Sequence, residues 1–258
     1  MRDLGLTGWV VVVTGAGGGI GSAACAEFLE SGSTVIAVDI NGDAVRRTVA
    51  GLSATGPIEA HVADLSDEVA VQELVANIES THGRIDVLFN NASIEGAVAN
   101  LVDYPTEVFD RVMAVNVRSI FLTMKHVLPS MVARGTGSVV NMGSTASFRG
   151  PGALAGYSAS KHAVIGLTRT AAGEVAKSGV RVNALCPGPT DTRMMASIEK
   201  LASPTAPMEI HDAWVNGIPR GQYGDPRELA RVAVVLASPL MANITGAAWM
   251  ADGGLTAI

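Results

Sequence analysis

Two rhythms of apolar and polar positions take turns along this chain. Residues 9–13, Trp-Val-Val-Val-Val, are an unbroken apolar run rich in β-branched side chains. That is the pattern of a strand buried on both faces of a parallel sheet. A glycine-rich turn follows at residues 14–21, and residues 22–31 then place Ala24, Phe28 and Leu29 at helical spacing until Gly32. The same succession repeats. Strands are predicted at 34–38, 58–62, 86–89, 138–142, 180–185 and 245–250. Helices are predicted at 43–52, at 67–82 with Ser66 as cap, along a continuous 106–134, and at 157–177. A last one starts at Asp225-Pro226-Arg227-Glu228 (cap, first position and a glutamate three after the cap) and runs to about Ala237.

Only residues 193–219 break the rhythm. They hold Met194, Met195, Met208, Trp214 and three prolines, with helical signal confined to 196–201. This reads as an irregular, adaptable apolar lid over a ligand. No repeat, low-complexity segment or linker divides the chain. Strands alternating with helices predict an α/β fold, a single doubly wound domain over residues 1–258 with 193–219 as a lid insertion.

Composition narrows the partners. The 258 residues are 48% hydrophobic, 16% charged and 4% aromatic, and their formal net charge is −6. Without a Lys/Arg-rich run, neither nucleic acid nor an anionic membrane is expected as a partner. So low a charged fraction suggests surface covered by another subunit. Two distant cysteines in apolar surroundings, Cys25 and Cys186, suit a reducing compartment. There is no spanning helix and no secretory core at the N-terminus, so the expectation is a cytoplasmic protein. No metal is expected.

Candidate chemistry sits at the ends of the predicted strands. The turn from Thr14 to Gly21 lies between strand and helix, where glycines let the backbone approach a pyrophosphate at a helix start. Asp39 ends the second strand, placed to bond the two hydroxyls of an adenosine ribose and to repel a 2′-phosphate. Ile40, Asn41 and Gly42 bring no adjacent cation, so NAD is preferred over NADP; an aspartate there also suits a helix N-cap. Asn90-Asn91-Ala92-Ser93 is a polar turn at a carboxyl end, and Asn116 is a poor helix former inside a predicted helix. Tyr157 and Lys161 stand four apart on a predicted helix, on one face. An ammonium beside a phenol favours the phenolate and readies it for proton transfer. Taken alone, such a pair is more often a surface Tyr and Lys, and its meaning rests on the rest of the chain.

Together these motifs resemble the short-chain dehydrogenase/reductase family over essentially the full length. The matching residues are Thr14-Gly-x-x-x-Gly19-Ile-Gly21, Asp64, Asn90-Asn91-Ala92, Asn116, Ser144, Tyr157-x-x-x-Lys161, and Pro187-Gly188 with Thr192. The resemblance implies a Rossmann-like sheet of seven parallel strands with helices on both faces. It also implies roles. Tyr157 would be the acid/base, Lys161 would hold the nicotinamide ribose and lower the Tyr157 pKa, Ser144 would bond the substrate oxygen, and Asn116 would position a water. Gly15, Gly19, Ile20 and Gly21 would face the pyrophosphate, with Asp39 at the ribose. Asp64 and Leu65 would lie at the adenine, Asn91 on the adenosine side of the cleft, and Pro187, Gly188, Thr190 and Thr192 toward the nicotinamide. Ser93 stands where the family usually has Gly. Gly143 stands where many members have Ser, which leaves more room beside Ser144.

The expected activity is hydride transfer between NAD(H) and an apolar secondary alcohol or ketone. Ile94, Val98, Phe148, Leu154, Met194, Met195 and Trp214 are candidates for the pocket wall, and Arg149 leaves an acidic substrate group open. A 3-oxoacyl-[acyl-carrier-protein] reductase is also permitted, though such enzymes usually use NADPH, and so is a non-catalytic NAD-binding protein. The family forms dimers or tetramers. Helices 106–134 and 157–177 would be the homodimer or homotetramer faces, and residues 255–258 could meet a neighbouring subunit.

Overall fold

The computed structural model describes residues 4–257; Met1 to Asp3 and Ile258, the last of the C-terminal residues expected to meet a neighbour, lie outside them. Seven strands form one all-parallel sheet. They are β1 (Val10–Thr14), β2 (Thr34–Asp39), β3 (Ile58–Val62), β4 (Val87–Asn90), β5 (Gly137–Met142), β6 (Val180–Pro187) and β7 (Ala248–Ala251). Their order is β3-β2-β1-β4-β5-β6-β7. The chain reverses direction across the sheet between β1 and β4, which opens a crevice at the carboxyl ends there. The doubly wound, Rossmann-like architecture anticipated from the alternating rhythms is the one observed.

The valine run of β1 explains itself in the packing. Val10 and Val12 enter one core with Ile36, Val38, Leu88 and Val139, while Val11 and Val13 enter the other with Val35, Ala37 and Phe89. Successive side chains point to opposite faces, so a strand covered on both sides must be apolar at every position. The first core is closed by α3 (Glu68–His82), α5 (Ser119–Arg134) and α6 (Ala155–Val175). The second is closed by α1 (Gly19–Glu30), α2 (Gly42–Leu52) and α9 (Pro226–Ala237).

Four local expectations change. The helix expected at 106–134 is α4 (Thr106–Met113), a widened π turn at Ala114–Arg118, and α5. Asn116 lies in that π turn, the kind of irregularity that frequently marks functional sites. The cap of α3 is Asp67, whose carboxylate accepts from the Val69 N–H, and not Ser66, which bonds Asp64 instead. The last strand is shorter than 245–250, because Thr245 meets β6 through its hydroxyl and Gly246 turns with a φ of 71°. Residues 193–219 are mostly helical: α7 (Arg193–Ala202) and α8 (Pro207–Gly217). Pro207 opens α8 at its first turn, a place where proline starts a helix instead of ending one.

The tightest backbone packing lies under the glycine turn. A Cβ on Gly21 would sit 2.1 Å from the Gly15 carbonyl oxygen, so α1 can begin there only with glycine. Gly15 has φ +65°, and a Cβ on it would lie 2.8 Å from Ala92 Cα. Gly21→Ala is therefore expected to cost about 1–3 kcal/mol through forced backbone movement. Urea denaturation measures it, and an unchanged midpoint would show that the turn yields freely.

Candidate active site

The glycine turn is held from outside by two polar side chains. Asn91 Nδ2 donates to the Thr14 carbonyl at 3.0 Å and to the Gly15 carbonyl at 3.3 Å, and the Asn91 N–H donates to Thr14 Oγ1 at 2.9 Å. Asp39 Oδ2 accepts from the Gly17 N–H at 2.9 Å, and its Oδ1 accepts from the Asn41 N–H at 2.9 Å. Asp39 is thus not the cap of α2; Asn41 is, through its bond from the Ala44 N–H. The start of α1 has Gly18 as its N-cap and no side chain bonded there. Gly15, Gly19 and Gly21 add no side chain of their own to this uncapped helix start, so its backbone N–H groups form an open cradle. It fits a pyrophosphate.

Around this cradle the other expected cofactor residues sit at strand ends. Asp64, after β3, accepts from the Ser66 N–H and hydroxyl, and Leu65 beside it is buried. Pro187 closes β6. Gly188 follows, where a Cβ would lie 2.9 Å from Asp252 Cα. The Thr190 hydroxyl donates to the Gly188 carbonyl and the Thr192 hydroxyl to the Thr190 carbonyl. Thr192 reaches back to the cradle, its Cγ2 being 3.1 Å from where a Gly19 Cβ would stand.

Lys161 and Tyr157 share one face of α6. Lys161 is only 1% exposed, and its Nζ donates to the Met142 carbonyl at 2.8 Å, 5.5 Å from the centre of the Tyr157 ring. Burial drives the Lys161 pKa down to about 8. Burial also pushes the Tyr157 phenol up to about 12, against the lowering effect of a hydrogen bond from Ser144; the carboxylate of Glu95 raises it further. The expected lowering of the phenol by its lysine neighbour is not the dominant effect here, because desolvation outweighs it.

Ser144 is fixed by its neighbours. It caps a 3₁₀ turn at Thr145–Ser147, its Oγ accepting from the Ala146 N–H. Ser147 Oγ accepts from the Ser144 N–H at 3.2 Å and donates to the Lys161 carbonyl at 2.8 Å, tying Ser144 to α6. The room expected beside Gly143 is absent: a Cβ there would lie 2.6 Å from Cys186 Sγ, so the thiol fills that space. Asn116 is fully buried and clamps another loop. Its Oδ1 accepts from the Ile94 N–H at 2.8 Å, while its Nδ2 donates to the Ile94 carbonyl at 2.9 Å and to Ser160 Oγ at 3.0 Å.

Sequence reading missed Ser147, Ser160, Glu95 and Cys186. Only Ser147 left a signal, since Ser144-x-x-Ser147 has the spacing of a capping box. The candidate pocket wall is mixed. Leu154 is buried, Phe148 is 45% exposed, and Met194, Met195 and Trp214 are half-buried on α7 and α8.

Comparison with known proteins identifies the family of the fold. A family model described as Enoyl-(Acyl carrier protein) reductase matches residues 15–256. The chain is 35% identical to levodione reductase of Leifsonia aquatica, over 96% of this chain and 94% of that protein. A solved levodione reductase superposes with a TM-score of 0.96 at 34% identity, covering 98% of this chain and 99% of the other. A 2,5-dichloro-2,5-cyclohexadiene-1,4-diol dehydrogenase of Sphingobium indicum is 40% identical over 98% of this chain and 99% of its own. An NAD+-bound xylitol dehydrogenase (TM-score 0.92, 34% identity, 96% and 99% covered) and an actinorhodin polyketide ketoreductase with NADPH (0.92, 32%, 96% and 97%) share the fold. The chain belongs to the short-chain dehydrogenase/reductase family and is an oxidoreductase of that type.

Burial of Lys161 has a measurable consequence. A base whose native pKa is depressed is penalised while charged, so its contribution to stability rises with pH between the native value, about 8, and the ordinary 10.5. In the cofactor-free protein, the stability difference between wild type and Lys161→Met is expected to shift by about 3 kcal/mol in favour of wild type across that window. Denaturation at both ends of the window checks it; a flat difference would mean Lys161 is not desolvated.

Proposed function

We propose that this enzyme transfers hydride between NAD(H) and a neutral secondary alcohol or its ketone, with Tyr157 as the acid/base. The observation that carries the reading is the convergence of Ser144 and Tyr157 above a buried Lys161, at the strand ends that also carry the glycine cradle. Bound NAD would supply the hydride acceptor and a positive charge at its nicotinamide ring. Gly15, Gly19, Ile20 and Gly21 would hold the pyrophosphate, and Asp39 the adenosine ribose. Asp64 and Leu65 would lie toward the adenine, and Pro187, Gly188, Thr190 and Thr192 toward the nicotinamide. Asn91 acts by holding the cradle in shape.

In the oxidative direction, Ser144 donates to the substrate oxygen and Tyr157 as phenolate takes the hydroxyl proton. Lys161 stabilises that phenolate and contacts the nicotinamide ribose. In the reductive direction Tyr157 returns the proton. Asn116 fixes the Ile94 loop and the Ser160 hydroxyl on α6, and the second lone pair of its Oδ1 would accept from a water.

NAD is favoured over NADP because Asp39 ends β2 with its carboxylate at the cradle. The nearby Arg46 guanidinium, close over Gly42, is bonded to Asp43 and does not neutralise Asp39. The same carboxylate weighs against the acyl-carrier-protein reductase reading. The α7–α8 hairpin serves as the substrate lid within one domain over residues 1–258. It is braced by Glu199, which accepts from Tyr223 at 2.8 Å and pairs with His211 at 3.1 Å. Exposed Phe121 and Val132 on α5 and Met250 on the edge strand β7 suit a homodimer or homotetramer, and a cytoplasmic setting fits the buried free thiols.

Tyr157→Phe is expected to lower alcohol oxidation by at least about a hundredfold while NAD binding, read by fluorescence quenching, persists. Near-wild-type turnover would overturn the role of Tyr157. With wild type, kcat/KM is expected to favour NAD over NADP by about tenfold or more, and a strong NADP preference would contradict the role of Asp39.

A further inference from the structure

The loop after β4, residues 91–99, carries a single charge, and that charge is nearly buried. The Glu95 side chain is 12% exposed. Its backbone is held on three sides. Asn116 grips Ile94 through both its N–H and its carbonyl. The Tyr104 hydroxyl accepts from the Ala97 N–H at 3.1 Å, and it sits where a Cβ on either Gly96 or Gly156 would collide with it, at 2.5 and 2.8 Å. The Ala99 N–H donates to the Ala153 carbonyl at 2.9 Å, and Ala153 holds a left-handed φ of 63°. These contacts hold Glu95 next to the first turn of α6.

A carboxylate in this position works against the chemistry. Its charge raises the pKa of Tyr157, which must lose a proton to begin oxidation. Among the described residues its one partner is Arg193 at the start of α7, a single contact of 3.5 Å to a guanidinium that is 76% exposed. So long and wet a pair stabilises little and leaves most of the lone pairs of Glu95 unused. A buried anion costs free energy unless donors reach it, and the Glu95 loop lies against the start of α6 through Tyr104 and against the start of α7 through Arg193.

We propose that Glu95 is the specificity-determining residue of this cleft, accepting a hydrogen bond from a second hydroxyl of a diol or hydroxyketone substrate and rejecting substrates with a carboxylate, phosphate or sulfonate at that place. The proposal rests on the alcohol dehydrogenase reading and adds a charged group to the apolar wall candidates expected from the sequence. Among the described residues, the cation that meets Glu95 is Arg193, and Glu95 already engages it.

The test uses the full chain with cyclohexanol, the cyclohexanediols and the hydroxycyclohexanecarboxylates. Wild type, Glu95→Gln, Glu95→Ala and Arg193→Ala are compared, each checked for folding by circular dichroism. Wild type is expected to favour its best diol over cyclohexanol in kcat/KM by about tenfold or more, since a charged acceptor left unpaired is strongly selective. Glu95→Ala should reduce that ratio about tenfold, mainly through KM. Glu95→Gln should raise the rate on the hydroxyacids relative to cyclohexanol, and Arg193→Ala should keep the diol preference. Diol-to-cyclohexanol ratios unchanged by both Glu95 variants, or a loss of preference reproduced by Arg193→Ala, would overturn the role of Glu95 and leave the alcohol dehydrogenase intact. Folded wild type that oxidises none of the alcohols would overturn both.

Discussion

The site depends on one desolvated ammonium. Lys161 lies almost wholly out of water, with its Nζ on the Met142 carbonyl at the end of β5. Keeping a charge there is costly, and burial answers by lowering its pKa to about 8. The lysine is also a hub. Its carbonyl receives Ser147, Ser147 in turn receives the Ser144 N–H, and Tyr157 lies one helical turn earlier with its ring 5.5 Å from the ammonium. Moving α6 by a fraction of an ångström would displace all three groups at once, so the same contacts that bury the charge align the Tyr157 phenol with the Ser144 hydroxyl. Desolvation also holds the phenol protonated, up to about 12, in the protein without cofactor. The pair is ready in position before it is ready in charge.

The second constraint is backbone proximity at the switch point between β1 and β4. Gly21 against the Gly15 carbonyl, Gly15 against Ala92, and Asn91 bonded to Thr14 and Gly15 weld the ends of two neighbouring strands to the first helix. The three glycines add no side chain of their own to the resulting cradle. Asp39 bonds its rim through the Gly17 N–H, so the residue expected to read the ribose also shapes the loop. Its bonds from the Gly17 and Asn41 N–H groups fix that carboxylate at the tip of β2.

Much of this was legible in the residues because it is local. The valine run of β1, the helix from Asp225 to Ala237 and the Tyr157–Lys161 spacing each follow from period, cap and turn chemistry within a few residues. The features that escaped are made by distant partners. The π turn around Asn116 exists because that amide grips a loop 22 residues upstream, and no periodicity records it. Glu95 reads as a polar loop residue until the loop is seen folded against Tyr104 and α6. Residues 193–219 read as irregular because three prolines interrupt them, and one of these, Pro207, begins a helix instead of ending one. Gly143 suggested open space, and only the structure shows Cys186 occupying it.

The central claim is that Tyr157 is an acid/base whose burial keeps it protonated until a positively charged cofactor enters beside Lys161. The direct measurement is a spectroscopic pH titration of tyrosinate absorbance, taken as the difference between wild type and Tyr157→Phe, with and without saturating NAD. The account predicts a Tyr157 signal near 12 in the free protein that moves below the ordinary phenol value of about 10 when NAD is bound. A signal that stays near 12 in both states would contradict it.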